Sequence, residues 1–515
     1  MMRHTGTGLL AAAMVLAVSA CSAPLEIKNN DAPDVLRVLA TPNDVKSVAG
    51  SALNTWFAGA NAVDPYLMFE VTSNHATANY GNFGMRFNNE EPRTPYDNNS
   101  SSGDAVVALT PWTAFYGSLG AANDAMKAFK AGVKLTSDAE TDQYKTLAMF
   151  VQALSLGELG LIFDQAFVVD ENTVDKPVLQ PYTAVISAAM AKYDAVIAAS
   201  AGKTYTFPSA VLPLDKVTFT GSVLNRIANT MAARTLAYAS RTGAENTAAP
   251  WARILAYADK GISGANSGGA AFDFAIVGDG GVSWPNWQLF NGDADMKMGA
   301  LNSTWGVAVC TKTINMMAPN VPWPFTGTKV APTGTYDKRL GLYPFDDATG
   351  DVAPGHADFA YYGSVFGNPA RGIWKQSPFI YTRYYYMGWD WATSYTGTLP
   401  YTLIAENDLL IAEALARTGG DLARAATLIN KTRVTRGGLT PATAADGTTK
   451  LLQYIAYEDD IELYSTGANG MYEHRRLDNL QMGTVRHLPI PAKELETLGL
   501  PIYTFGGATQ NPGGK

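Results

Sequence analysis

Apolar positions recur at helical spacing in two stretches of the chain. In the first, Trp112, Phe115, Tyr116, Leu119 and Met126, with Asn123 among them, fall at i, i+3, i+4, i+7 and onward. The same spacing returns in Tyr144, Leu147, Ala148 and Val151, and again in Val185, Ala188, Ala189, Tyr193 and Val196. Leu224, Ile227, Ala228 and Met231 follow, then Trp251, Ile254, Leu255, Ala258 and Ile262. Each set lays an apolar stripe along one helix face, and such a stripe needs a neighbouring helix to cover it. Ser137-Asp138 with Glu140 in the first turn marks one helix start, and Pro181 marks another.

From about Ser263 to Pro400 the helical period is lost. Gly, Pro, Asn and aromatic residues dominate, as in Trp284-Pro285-Asn286-Trp287 and Val321-Pro322-Trp323-Pro324. These segments read as turns and short strands, too aromatic for a disordered linker. The helical pattern then resumes. Glu406 to Arg417 is densely apolar, Gly419-Gly420 breaks it, and Leu422, Ala425, Ala426 and Ile429 mark the next helix. So short a turn makes an αα-hairpin. Its small residues allow close approach, as in tetratricopeptide units, although no consensus of ~34 residues repeats. A third stripe is Tyr454, Tyr457, Ile461 and Tyr464. The predicted fold is mainly α: a tetratricopeptide-like helical-hairpin array with an irregular, loop-rich lobe containing short strands. Residues 41–262 form the N-terminal scaffold, 263–400 the aromatic lobe, and 401–515 C-terminal hairpins and a tail that pack with the scaffold as one unit.

The first residues belong to a different kind of segment. Arg3 and His4 precede the largely apolar run Leu9 to Ala20, too short for a hydrocarbon core of roughly 30 Å but suited to a signal peptide. The run ends Val18-Ser19-Ala20-Cys21, the pattern of a bacterial lipobox. Residues 1–20 are therefore expected to be removed, Cys21 to carry the lipid, and 21–40 to act as a tether. The other cysteine, Cys310, has no partner for a disulfide and reads as a packed small apolar side chain.

The formal net charge is −8, with no clustered Lys or Arg, which argues against nucleic acid as a partner. Catalytic chemistry is hard to assemble. His75, His356, His474 and His487 lie in no metal-ligand spacing, and no GxSxG surrounds a serine. No cofactor is expected. Glu458 and Glu462 share a helix face, but carboxylates one turn apart do not flank a bond from opposite sides. They are expected to pair with Arg475 and Arg476.

Aromatic residues make up 11% of the chain against 16% charged, and this is the better lead. Sugar rings expose apolar C–H faces that pack on indole and phenol rings, while their hydroxyls seek amides and charged groups. The segment Asn74 to Asn99 offers Tyr80, Phe83, Arg86, Phe87 and Tyr96 among asparagines. The lobe adds Trp284, Asn286, Trp287 and Trp305, and a second cluster runs Tyr384-Tyr385-Tyr386 to Trp389 and Trp391. The candidate ligand-binding residues are Tyr80, Phe83, Arg86, Tyr96, Trp284, Asn286, Trp287 and Trp305. Trp112, Tyr116 and Trp251 sit on helical stripes and are assigned to the core.

The order of the pieces resembles the SusD/RagB family. Trp112, Tyr116 and Asn123 look like its early W…Y…N helix, and Ala153 to Gly160 like the helix end that follows. Leu409-Leu410-Ile411-Ala412-Glu413-Ala414-Leu415 resembles a characteristic later helix, followed by Ile429-Asn430-Lys431-Thr432-Arg433 and Arg436-Gly437-Gly438-Leu439. Tyr472-Glu473-His474-Arg475-Arg476, Pro489-Ile490-Pro491 and Gln510-Asn511-Pro512-Gly513 continue the series. The stretch Thr466 to Arg476 departs from the family by lacking its first Glu and Arg. The resemblance implies a tetratricopeptide-like helical fold and an outer-membrane lipoprotein without catalytic activity. It further implies an oligosaccharide or peptide ligand and a SusC-like TonB-dependent barrel over which the chain is a lid. A lipid-anchored envelope glycosidase, or a helical scaffold that binds only protein, are the alternatives.

Overall fold

The structure, a computed structural model, describes residues 39, 41–78, 84–89, 92–264, 269–279, 307–342, 357–366, 369–383 and 396–507. Its first helix, α1 (Pro42–Ala60), precedes every stripe singled out above. The Thr41 side chain caps it by accepting the Asp44 N–H, Pro42 occupies the first turn, and Val45, Ala49, Ala52, Leu53, Trp56 and Phe57 are buried. A second helix, α2 (Val63–Thr72), follows directly.

The stripes of the scaffold become α3 (Val106–Lys130), α4 (Asp138–Ile162), α5 (Tyr182–Ser200) and α6 (Gly221–Tyr238), then α7 (Gly243–Thr247) and α8 (Trp251–Ala258). Ser137 caps α4 by accepting the Glu140 N–H, where the sequence places a helix start. This helix is apolar enough to cross a membrane by length and composition, yet it lies inside the protein. Its neighbours α1, α3 and α5 cover it on several sides, which is why it is hydrophobic nearly all round. Gly160 permits the close crossing with α5: a Cβ there would lie 2.8 Å from Ile186 Cδ1 and 3.2 Å from the Ile186 backbone nitrogen. Trp112 and Trp251 are buried and Tyr116 packs half-buried against the same core.

Within the stretch without helical period, the described residues form short strands, two single-turn 3-10 helices and one α-helix, α9 (Thr311–Met317). Strand β1 (Ala76–Ala78) pairs antiparallel with β5 (Val307–Val309), fastening the lobe to the end of α2. Strands β2 (Gln165–Phe167) and β3 (Leu179–Pro181) pair within the scaffold. Strand β4 (Phe274–Asp279) pairs antiparallel with β9 (Thr396–Thr402), so the chain enters and leaves the lobe along one ribbon. In the three-stranded sheet β6 (Leu340–Leu342) runs parallel to β7 (Phe359–Phe366), and β8 (Ser377–Tyr381) runs antiparallel to it. Cys310 is free and buried, and burial raises its thiol pKa.

The C-terminal part opens with the hairpin of α10 (Ile404–Thr418) and α11 (Leu422–Arg433). Gly419 at φ +69° ends α10 and Asp421 caps α11. Helices α12 (Gly447–Glu462), α13 (Asn469–Arg476) and α14 (Ala492–Leu498) follow. Helix α10 packs on α6 and α8, and the Asn407 amide is shared between Thr230, Ala258 and Ser263. Scaffold and C-terminal helices thus share one core, with the lobe set against both.

Candidate functional site

A cleft of about 550 Å³ opens between α9, α12 and the turn after α13. Lys312 and Met316 line it from α9; Gln453, Ala456, Tyr457 and Asp460 line it from α12; His474, Asn479 and Trp323 complete the wall. The α12 residues stand at i, i+3, i+4 and i+7, so one helix face supplies them together. That face borders the buried one, where Leu451, Ile455, Glu458 and Glu462 point inward. Trp323 packs edge-on to Trp374 with ring centroids 5.9 Å apart, and Lys312 Nζ lies 5.7 Å from the Trp323 ring centroid. Gln453 and Asn479 are exposed. An apolar wall with an amide rim and one ammonium suits a ligand with an apolar face and a hydroxylated edge.

At the base of the cleft two imidazoles share one carboxylate oxygen. Asp460 Oδ1 lies 2.9 Å from His75 Nε2 and 2.6 Å from His474 Nε2. The other nitrogen of His75, Nδ1, lies 3.2 Å from Glu70 Oε2. His75 follows α2 directly and stacks on Tyr464, with ring centroids 5.3 Å apart. Its backbone carbonyl accepts the Cys310 N–H at 2.7 Å, so the junction of β1 with β5 sets its position. Burial by itself would lower the His75 pKa, but hydrogen bonds to Asp460 and Glu70 override it and push the group up to about 9. Asp460 is largely shielded from water, yet the two imidazoles hold its carboxyl well below the usual range. Burial lowers His474, against the pull of Asp460. Among the described residues lining the cleft there is no serine or cysteine and a single carboxylate. Neither a nucleophile with its base nor a pair of flanking carboxylates is assembled there.

No family model matches the chain, and no curated protein does. Solved structures do match. A SusD superfamily protein from Parabacteroides distasonis superposes with a TM-score of 0.59 at 11% identity, covering 88% of this chain and 97% of its own. One from Bacteroides thetaiotaomicron gives 0.55 at 14% identity, over 87% of this chain and 92% of that one. A protein described as a laminarin-binding SusD-like protein gives 0.51 at 14% identity, over 90% and 98%. This chain has the SusD fold.

The residues expected to bind ligand distribute unevenly over this SusD fold. Tyr80, Phe83, Trp284, Asn286, Trp287 and Trp305 lie outside the described residues, as do Cys21 and the cluster from Tyr384 to Trp391. Arg86 is exposed and reaches Asp104 at 3.2 Å. Tyr96 is 1% exposed, and its hydroxyl donates to the Asp104 carbonyl at 3.1 Å. Tyr96 is therefore a core residue here, with no ring face open to a ligand. Both gather at Asp104 and neither lines the cleft.

The expected pairing of Glu458 and Glu462 with Arg475 and Arg476 is also corrected. Both carboxylates do share a face of α12, but their cation is Arg339 of the lobe, at 2.7 Å and 3.1 Å. Glu462 additionally holds Arg383 and Arg436, each at 2.9 Å. Helix α13 turns its arginines toward the scaffold and α10 instead. Arg475 donates to the carbonyls of Leu161, Tyr238 and Arg486, and Arg476 grips both oxygens of Glu413 at 2.7 and 2.6 Å.

Sequence reasoning missed the cleft itself. His75 and His474 share no local motif. The i, i+3, i+4, i+7 set on α12 was available as a signal, but nothing local joins it to His75, 385 residues away.

Proposed function

We propose that this chain is a divergent SusD/RagB protein that binds carbohydrate without transforming it. The observation that carries the reading is the cleft: an indole wall, Trp323, beside an amide rim, Gln453 and Asn479, on a fold shared with glycan-binding proteins. One such structure is described as surface glycan-binding protein A from Bacteroides uniformis, with a TM-score of 0.51 at 15% identity, over 90% of this chain and 98% of that one. The lone carboxylate in the cleft supports capture over hydrolysis. The lipobox ending at Cys21 supports anchoring at the outer membrane, on the cell surface, through the tether 21–40. Among the described residues the one helix apolar enough to span a membrane is buried in the core. Delivery of a captured ligand therefore calls for a pore, and a SusC-like TonB-dependent barrel under this chain as its lid is the proposed partner. A tether raises the effective concentration of lid and barrel for each other.

The test is a glycan array followed by calorimetry, with chromatography of the sugars after long incubation. Binding of an intact oligosaccharide at micromolar to millimolar Kd, about 4–8 kcal/mol, supports the reading. Trp323→Ala is expected to weaken it tenfold or more. Accumulation of shortened sugars would show a glycosidase instead.

A further inference from the structure

We propose that His75, Asp460 and His474 form a site for a divalent transition-metal ion of the zinc class, opening on the cleft beside Trp323. The inference goes beyond carbohydrate binding and does not depend on it. The segment after α2 meets α12 and α13, some 385 residues further on, and together they bring two imidazole nitrogens and a carboxylate oxygen within 4.8 Å of one another. Imidazole donors select zinc, copper, nickel or iron over calcium and magnesium, which take oxygen ligands.

The distances fit with a small adjustment. Ions of this class bind nitrogen and oxygen at about 2.0–2.2 Å in tetrahedral geometry, which sets donor atoms about 3.3 Å apart. Asp460 Oδ1 now lies 2.9 and 2.6 Å from the two Nε2 atoms. Asp460 Oδ1 would recede by about half an ångström toward the cleft, which it lines, and the two imidazole nitrogens, within 4.8 Å of each other, would close to about 3.3 Å around the ion.

The surroundings are arranged as a metal site requires. With the His75 Nδ1–H donated to Glu70 Oε2, a bound ion takes the place of the Nε2 proton that Asp460 otherwise accepts, and the outer carboxylate orients the ring as at a metal-binding histidine. The ring is held by Tyr464 stacked on one face. Gly470 leaves it room: a Cβ there would come within 2.5 Å of His75 Nδ1 and 2.9 Å of Ser73 Oγ. His474 lacks such bracing, because its Nδ1 is buried without a hydrogen-bond partner. One braced and one unbraced imidazole give a weaker hold than a closed structural site, so a micromolar Kd is expected. Glu70 and Asp460 supply two negative charges toward the ion, while Lys312 in the same cleft opposes it. Three protein ligands leave a fourth position for water or a ligand hydroxyl.

The experiment uses the untagged full chain in detergent, stripped with a chelator and titrated separately with Zn²⁺, Co²⁺, Ca²⁺ and Mg²⁺. One equivalent of Zn²⁺ should bind by calorimetry, and Co²⁺ should give visible absorption of a low-coordinate ion that Zn²⁺ bleaches. Ca²⁺ and Mg²⁺ should do neither. Glu70→Gln should weaken Zn²⁺ by about 10–100-fold, the range for an outer partner, and His474→Ala by more. Glu496→Gln, an exposed carboxylate outside the cleft, should leave it unchanged. The wild-type Co²⁺ spectrum needs no variant, so a misfolded substitution cannot decide the matter. Lack of a saturable wild-type signal would overturn the site, as would undiminished binding by a folded His474→Ala chain. In that case the cluster is an ion pair at the base of the cleft only.

Discussion

Arg339 Nη1 donates to Glu458 Oε2 at 2.7 Å, joining the lobe to α12 across 119 residues of chain. Both side chains are buried, and the same guanidinium also holds Asp337 at 2.7 Å and Glu462 at 3.1 Å. Removing the cation leaves three carboxylates with much of their compensation gone. Arg339→Met is expected to destabilise by about 3–5 kcal/mol. Arg436 also pairs with Glu462 but is 38% exposed, and its loss should cost no more than about 1 kcal/mol. Urea unfolding of the two variants checks the ranking. Equal, small effects would mean that Arg339 is dispensable to the junction of lobe and helices.

Gly470 in α13 is a position where a better helix former should harm the protein. Alanine gains roughly 0.5–1 kcal/mol of helix propensity over glycine. Its methyl group would collide with the His75 ring and Ser73, both buried. Overpacking costs about 1–3 kcal/mol, so Gly470→Ala should be destabilising on balance. A melt showing a raised midpoint would mean that His75 gives way freely.

His487 makes stability fall in mild acid. Burial first, then the nearby charges of Arg241 and Arg486, push its pKa down to about 3, and its Nδ1 is buried without a partner against the edge of Phe505. The folded state therefore resists a proton that the unfolded chain accepts below pH 6.5. The neutral-state stability is complete above that pH and lost progressively as pH falls toward 3. Near pH 5 the loss is at most about 2 kcal/mol, from 1.36 kcal/mol per unit. His487→Phe should flatten the stability profile between pH 6.5 and 5 relative to wild type. Parallel profiles for the two proteins would remove His487 as a cause.

Cys21 is expected to carry the lipid, because Val18-Ser19-Ala20-Cys21 closes a short apolar run. Metabolic labelling with a fatty-acid analogue should mark wild type and spare Cys21→Ala. Affinity purification from gently solubilised membranes should then recover a barrel considerably larger than this chain. Repeated recovery of the chain alone, with ligand binding intact, would leave a free-standing binding lipoprotein as the better description.

Periodicity by itself determined that helices run through the stripes Trp112 to Met126, Tyr144 to Val151, Val185 to Val196 and Leu224 to Met231, which the structure extends to 106–130, 138–162, 182–200 and 221–238. It also determined the hairpin on either side of Gly419 and a stretch of short strands. Each rests on local rules: 3.6 residues per turn bury one stripe, and residues such as Ser137 and Gly419 satisfy helix ends. The stripe Val45, Ala49, Leu53, Trp56 of α1 obeys the same rule and was equally legible. Tertiary structure decided the partners. Tyr96 carries the ring and hydroxyl of a ligand-binding residue, and only its packing over Asp104 makes it core. Glu458 and Glu462 needed a buried cation, and α13 docks with Arg475 and Arg476 facing α6 and α10, which left that place to Arg339. His75, Asp460 and His474 meet because β1 pairs with β5 while α13 packs against α2. Helix and turn preferences act over a few residues. The meeting of side chains hundreds of residues apart depends on how finished elements dock, and shape complementarity of whole faces sets that.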